Sequence, residues 1–104
     1  MKKVLLIEDN DLMRKNAAEI LKMANYRVTT AADGKEGVQL AQTELPDLII
    51  CDIMMPELDG FGVLHMLSKN VATAAIPFIF LTSKSEKSDH RKGMSMGADD
   101  YLTK

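Results

Sequence analysis

A run of four apolar residues that ends in a carboxylate constrains the fold of this chain more than any other feature. Residues 48–51 have no polar face, which predicts a strand buried on both sides, as in the centre of a parallel sheet. Asp52 follows directly, and Pro56 and Gly60 mark a sharp loop after it. Because a lone carboxylate is costly to bury, we expect Asp52 at the mouth of this strand, where it can meet a cation or a substrate. The alternative is that Asp52 only caps the turn that follows.

The other apolar segments alternate with segments of helical period. Apolar residues at spacings of three and four predict helices over about 11–25, 37–41, 61–68 and 86–96, the second of them short and weak. Asn10 or Asp11 is placed to cap the first helix. The remaining strands are predicted over residues 4–7, 27–31, 78–81 and 100–103. This alternation predicts an α/β fold, a mostly or wholly parallel sheet with right-handed crossovers and helices on both faces.

Length and composition limit the class of protein. With 104 residues the chain has room for one domain, which we assign to residues 1–104. A net charge of -2 argues against a surface for nucleic acid or anionic membrane. The apolar run over residues 4–7 is too short for a signal peptide or a membrane span, so we expect a cytoplasmic protein. Cys51 is the only cysteine and lies inside an apolar run, which predicts a small core residue and no disulfide.

Polar side chains follow four of the predicted strands. They are Glu8 and Asp9 after the first strand, Asp52 after the third, Thr82 and Ser83 after the fourth, and Lys104 after the fifth. Because the carboxyl ends of parallel strands form the functional rim of such a sheet, we expect these side chains to lie together. Any one of them could be ordinary loop polarity, but their joint placement favours a site.

Carboxylates gathered in this way predict a cation site. Three of them close together repel one another, and a hard divalent cation would neutralise them. A donor set of oxygens without Cys or His favours Mg²⁺, with Mn²⁺ possible. We assign Asp9 and Asp52 as direct ligands and expect Glu8 to act through a water. Glu8 and Asp9 would also place favourable charge at the N-terminus of the first helix, and both roles can hold together.

A carboxylate beside a metal, a hydroxyl and an amine is suited to phosphoryl transfer. Asp52 would be the nucleophile and would become an aspartyl phosphate. Thr82 as a hydroxyl donor and Lys104 as a point charge would each hold one phosphoryl oxygen. The ordinary alternatives are a helix cap for Thr82 and a solvated surface side chain for Lys104.

The sequence resembles the receiver domain of two-component response regulators. The matching segments are Glu8-Asp9, the stretch from Asp52 to Gly60 (DIMMPELDG), Thr82-Ser83, and residues 97–104 (GADDYLTK). The intervals between Asp52, Thr82 and Lys104 suit the spacing of that family, and the match covers the whole chain. The resemblance implies a flavodoxin-like, doubly wound parallel sheet of five strands in the order 2-1-3-4-5.

The resemblance also implies a role for each site residue. Asp52 would accept a phosphoryl group from the phosphohistidine of a histidine kinase or a phosphotransfer protein. Mg²⁺ would lie on Asp9, Asp52 and the backbone carbonyl of Met54, and the backbone of Ser83 would contact the phosphoryl group. Thr82 and Tyr101 would move together as a switch. Such a domain is a phosphoacceptor that catalyses only its own phosphorylation and dephosphorylation, not an enzyme acting on other substrates.

The sequence departs from the family pattern at one place. Receivers continue past the lysine into a fifth helix, and this sequence stops at Lys104. We therefore expect the fifth helix to be absent, with lower stability or with self-association, by exchange of elements or as a homodimer. A further possibility is that the chain is part of a longer response regulator with an unknown output partner or domain.

Three other functions are weaker predictions. A flavin-binding flavodoxin-like protein needs a loop rich in Ser, Thr and Gly after the first strand, but residues 8–11 are Glu-Asp-Asn-Asp and would repel a phosphate. An aspartyl phosphohydrolase needs a carboxylate two residues after the nucleophile, where Met54 stands. A phosphorylation-independent interaction module of receiver type would not need the full acidic set, Thr82 and Lys104.

Overall fold

The chain alternates strands and helices, as its sequence predicts. The computed structural model describes residues 1–82 and 100–103. The elements are β1 (Lys3–Ile7), α1 (Asp11–Met23), β2 (Arg27–Ala31), α2 (Gly34–Glu44), β3 (Leu48–Asp52), α3 (Gly60–Ser68), α4 (Val71–Ala74), β4 (Phe78–Thr82) and β5 (Asp100–Thr103).

The strands form one sheet of five in the order β2-β1-β3-β4-β5. Every neighbouring pair is parallel, which confirms the predicted sheet and its order. The register pairs Ile7 of β1 with Cys51 of β3, so the next residues, Glu8 and Asp52, emerge side by side at the same edge. β3 lies at the centre, between β1 and β4.

Alternate residues of the central strands pack on opposite faces of the sheet. On one face Leu5, Ile7 and Phe80 join a buried cluster with residues of α2 and α3. On the other face Val4, Leu6 and Ile50 pack against Ala18 of α1 and its neighbours. Helices therefore cover both faces, as predicted. Complete burial of such a side chain is worth roughly 1.5–3 kcal/mol, so these clusters fix the strands on which the rim residues stand.

Each of the four described helices begins at a polar N-cap residue whose side chain accepts a hydrogen bond from a backbone N–H. The side chain of Asn10 accepts a hydrogen bond from Met13 N, so Asn10, rather than Asp11, is the N-cap of α1. Asp33 accepts from Glu36 N at 2.8 Å, and Glu36 accepts in return from Ala32 N at 2.7 Å. The arrangement resembles a capping box, except that Glu36 bonds the N–H of Ala32, the residue before the N-cap, and not that of the N-cap Asp33. It lets α2 begin at Gly34, so the helix is longer than the predicted 37–41.

The structure adds one element and shifts several boundaries by a few residues. The short helix α4 was not predicted, because four residues show no apolar period; Asn70 caps it and Thr73 is buried within it. Asp52 is the last residue of β3, whereas the predicted strand stopped at Cys51. The predicted helix over residues 86–96 lies outside the described residues. Across residues 1–82 and 100–103, none of the helices has the length and apolarity that crossing a bilayer requires.

Candidate functional site

Three carboxylates meet at the carboxyl edge of β1 and β3, as the sequence predicts. Oxygen atoms of Glu8, Asp9 and Asp52 all lie within 4.8 Å of one another. Glu8 is fully buried and Asp52 is 3% exposed, while Asp9 is exposed. The site therefore has a buried floor of two carboxylates and a third at its solvent side.

The sheet continues for one residue beyond β1 and β3, and this brings the carboxylates together. Glu8 N donates to the carbonyl of Ala31 at 3.0 Å, which holds Glu8 against β2. Ile53 N donates to the carbonyl of Leu81 at 3.2 Å, which holds the residue after Asp52 against β4. Asp52 itself is paired with Leu81 in the register of β3 and β4. The backbone on both sides of the acidic cluster is therefore fixed by the sheet.

The loop after β3 folds back tightly onto the end of the strand. Gly60 N donates to the carbonyl of Ile53 at 2.9 Å, and Glu57 has a left-handed backbone with φ 67°. A Cβ atom on Gly60 would lie 2.4 Å from the carbonyl oxygen of Asp52 and 2.8 Å from Cα of Ile53. These are backbone atoms, which cannot move aside cheaply. Helix α3 can start so close to Asp52 because residue 60 has no side chain.

Cys51 belongs to the core and not to the chemistry of the site. Its side chain has no exposed surface. Burial raises the pKa of the Cys51 thiol well above its usual value, and the nearby carboxylates, Asp52 foremost, raise it further. Since a thiol needs to ionise to be a nucleophile or a metal ligand, Cys51 is unsuited to either role. The prediction of a small core residue is confirmed.

The acidic cluster fits a hard divalent cation. Its donors are carboxylate oxygens alone, the ligands that Mg²⁺ and Mn²⁺ prefer. In the part of the chain that the structure describes, no other group of three or more His, Cys, Asp and Glu side chains could hold a metal ion. Met54 follows on the solvent side with its side chain 75% exposed, and the role of its carbonyl stays a prediction.

The remaining predicted site residues are placed in part. Thr82 ends β4, one residue beyond the partner of Asp52, so its backbone lies at the same edge of the sheet. Tyr101 lies in β5 and pairs with Phe80 in the parallel register. Ser83 and Lys104 lie outside the described residues, and their roles stay predictions. The close approach of Gly60 to Asp52 was not predicted, although the Asp-Gly pair at 59 and 60 is a recognisable signal for a tight turn.

A family model described as "Response regulator receiver domain" matches residues 4–104. The DNA-binding dual master transcriptional regulator RpaA of Synechocystis sp. is 41% identical over 104 residues, which are 100% of this chain and 43% of that protein. The chain thus spans less than half the length of RpaA and of several other curated relatives that it matches.

Solved structures of the same fold are also similar. The chemotaxis protein CheY4 of Vibrio cholerae superimposes with a TM-score of 0.95 at 33% identity, covering 100% of this chain and 87% of that one. The receiver domain of the sensor histidine kinase PA1611 from Pseudomonas aeruginosa, solved with a magnesium ion in its active-site cleft, gives a TM-score of 0.91 at 31% identity. It covers 99% of this chain and 84% of that one.

Gly60→Ala should weaken cation binding at the acidic cluster, because the added methyl group would press on the backbone of Asp52. We expect a loss of about 1–3 kcal/mol of stability, the usual cost of overpacking, and weaker binding of Mg²⁺. Gly62→Ala is the matched control. It adds the same methyl group to the same helix, but its closest contact is Cδ1 of the Leu58 side chain, which can rotate away. Urea unfolding and calorimetric Mg²⁺ titration measure both effects; equal Mg²⁺ affinity in the two folded variants would contradict the expected role of Gly60.

Proposed function

The chain belongs to the response regulator receiver domain family, and we propose that Asp52 is the residue on which it receives a phosphoryl group. Members of this family are phosphoacceptor signalling domains of two-component systems and not classical enzymes. The observation that supports the choice of Asp52 is its burial at the end of the central strand, within 4.8 Å of Glu8 and Asp9. Neutralised by a cation, this carboxylate is a nucleophile held in one orientation.

The proposed reaction is an in-line displacement at phosphorus. An oxygen of Asp52 forms the new P–O bond while the P–N bond to the donor histidine breaks, and the imidazole leaves with the electron pair of that bond. Thr82 and Lys104 would each bind a phosphoryl oxygen, and Ser83 would contribute a backbone contact. Thr82 directly follows Leu81, the residue of β4 that pairs with Asp52, and this placement of its backbone supports the role of Thr82. The roles of Ser83 and Lys104 rest on the sequence pattern.

Mg²⁺ is the cofactor we propose for this site, with Mn²⁺ as a substitute. Asp9 and Asp52 would bind it directly, Glu8 through a water, and Met54 through its backbone carbonyl. The ion would neutralise the negative charge that gathers between carboxylates and phosphoryl oxygens. Two observations support this assignment, the oxygen-only donor set and the magnesium ion in the cleft of the PA1611 receiver.

The proposed partners follow from the chemistry of the donor. A histidine kinase or a phosphotransfer protein would supply the phosphohistidine, and we propose that the chain acts in the cytoplasm. The similarity to RpaA supports an output in transcription, while the net charge of -2 argues against DNA contact by this segment. We propose the signal then passes through Thr82 and Tyr101 to an output partner or domain.

Phosphorylation of Asp52 is tested with a small phosphodonor. With Mg²⁺ and acetyl phosphate, the intact chain should gain the mass of one phosphoryl group, and Asp52→Asn should not. Asp47→Asn is a matched control, since Asp47 precedes the same strand at its opposite end, where it accepts from Lys3 N. A phosphoryl group that forms equally on Asp52→Asn would refute the acceptor assignment, and no gain in the wild type would favour an interaction module.

The metal assignment is tested at Asp9. Asp9→Asn should bind Mg²⁺ more weakly and lose phosphorylation, while the fold should be as stable as before or slightly more stable, because one of the repelling charges is gone. Calorimetric titration and thermal unfolding report the two effects. Asp33→Asn serves as the control, because it removes a charge beside β2 while keeping a side chain that caps α2 equally well. Unchanged Mg²⁺ affinity in Asp9→Asn would remove Asp9 from the ligand set.

The switch is tested at Thr82. Thr82→Ala should still accept a phosphoryl group on Asp52, but Tyr101 should no longer respond, because the phosphoryl group loses the hydroxyl through which it would bias the ring. NMR chemical shifts of the Tyr101 ring, with and without acetyl phosphate, measure the response. Thr29→Ala on β2, on the far side of β1, is a control that should leave it intact. Equal shift changes in Thr82→Ala and wild type would argue against the coupling.

A further inference from the structure

The side chain of Arg14 connects helix α1 to the end of strand β1. Its Nη1 donates to the backbone carbonyl of Glu8 at 3.0 Å, and its Nη2 donates to Asp11 Oδ1 at 2.6 Å. The Arg14 side chain is 21% exposed, whereas that of Asp11 is 91% exposed. An ion pair at such an exposed carboxylate contributes little to stability. The partly buried bond to Glu8 is therefore the contact that fixes the chain.

That bond is made where the sheet ends. Ile7 is the last residue of β1 that is paired with both neighbouring strands, and Glu8 is the next residue. Arg14 thus fixes the backbone at the first residue of the β1–α1 loop, which spans residues 8–10 between β1 and α1. The planar guanidinium presents several donors in a fixed geometry, so Nη1 can bond the Glu8 carbonyl while Nη2 bonds Asp11.

Asp9 lies inside this loop and depends on its backbone. Asn10 N donates to Glu8 Oε2 at 3.3 Å, and Asn10 Oδ1 accepts from Met13 N at 2.9 Å, so both neighbours of Asp9 are held. Between described residues, no hydrogen bond reaches the Asp9 carboxylate itself. The direction in which that carboxylate points is consequently set by the peptide groups on either side of it.

We propose that Arg14 is a positioning residue for the cation site. By fixing the Glu8 carbonyl, it holds the β1–α1 loop in the conformation in which the Glu8 and Asp9 carboxylates converge with Asp52. This inference rests on the proposed Mg²⁺-assisted function of the same cluster. Residues that orient metal ligands without touching the metal typically account for 10–100-fold in affinity.

The positive charge of Arg14 makes the proposal testable, because it determines the direction in which Mg²⁺ affinity changes when Arg14 is replaced. Considered only as a positive charge beside an acidic cluster, Arg14 opposes the binding of a cation, so its removal should strengthen Mg²⁺ binding. Considered as the residue that orients the loop, its removal should weaken Mg²⁺ binding. The two roles predict opposite changes for the same substitution.

The experiment compares Mg²⁺ affinity in Arg14→Met, Arg14→Lys and the control Lys15→Met, each in the full chain, by calorimetric titration. Lys15 is the neighbouring exposed residue of α1, and its replacement removes the same charge without a contact to Glu8. We expect Arg14→Met to bind Mg²⁺ about 10-fold more weakly, in the range for residues that orient ligands. Arg14→Lys should fall between it and the wild type, because it keeps the charge but loses the fork. Lys15→Met should bind Mg²⁺ as tightly as the wild type or slightly more tightly.

Urea unfolding separates this role from a general loss of structure. The urea curve should show that Arg14→Met is fully folded in the absence of denaturant, where its far-UV circular dichroism should equal that of the wild type. Under those conditions Arg14→Met should still bind Mg²⁺ more weakly. If Arg14→Met does not fold, Arg14→Lys supplies the comparison. A folded Arg14 variant that binds Mg²⁺ as tightly as the wild type, or more tightly, overturns the positioning role. If the wild type itself binds no Mg²⁺ and takes no phosphoryl group on Asp52, the proposed function fails first, and the positioning role fails with it.

Discussion

The burial of Glu8 and Asp52 beside each other is the constraint on which the rest of the structure depends. Parallel pairing of β1 with β3 places Glu8 and Asp52 next to each other, because they directly follow the paired residues Ile7 and Cys51. Like charges in a poorly solvated place repel each other and destabilise the fold. The apolar clusters on both faces of the sheet have to offset that cost. Affinity for a cation and internal strain therefore have the same origin in this domain.

A site built on repulsion needs a rigid frame, and the chain supplies it by close backbone packing. Gly60 brings the start of α3 against the carbonyl of Asp52, and a Cβ on Gly34 would lie 2.5 Å from the carbonyl oxygen of Leu58. The loop after β3 is thus confined between the end of its own strand and the first turn of α2. On the other side of the cluster, hydrogen bonds from Asn10 and Arg14 hold the loop after β1. Little of the site is free to relax when the carboxylates repel one another.

The sequence predicts those parts of this arrangement that depend on local pattern. β1, β3 and the position of Asp52 at the end of β3 follow from apolar runs that end in a charge, and the sheet order follows from the family resemblance. The first turn of α2 was missed because residues 34–36 have no apolar period, and its stability comes from the side-chain hydrogen bonds of Asp33 and Glu36 to backbone N–H groups. The contact from Arg14 to the Glu8 carbonyl could not be predicted either, because an arginine on the polar side of a helix is expected to be solvated. Such contacts depend on how a helix is oriented on the sheet, which no window of sequence contains.

The two sides of the cluster differ in what they can transmit. On the β1 side, the backbone of Glu8 is bonded to α1 through Arg14 and to β2 through the carbonyl of Ala31. A change in charge at Asp52 therefore moves the backbone little on that side. On the other side Asp52 adjoins β4, and β5 lies at the far edge of the sheet, paired with β4 alone among the described strands. A rearrangement that begins at Asp52 and passes through Thr82 therefore reaches β5 before any other edge. If Asp52 is the acceptor and Thr82 relays its signal, as we propose, the sheet order would lead that signal to β5, the edge strand that contains Tyr101, because on the other side Glu8 is bonded to β2 and to α1.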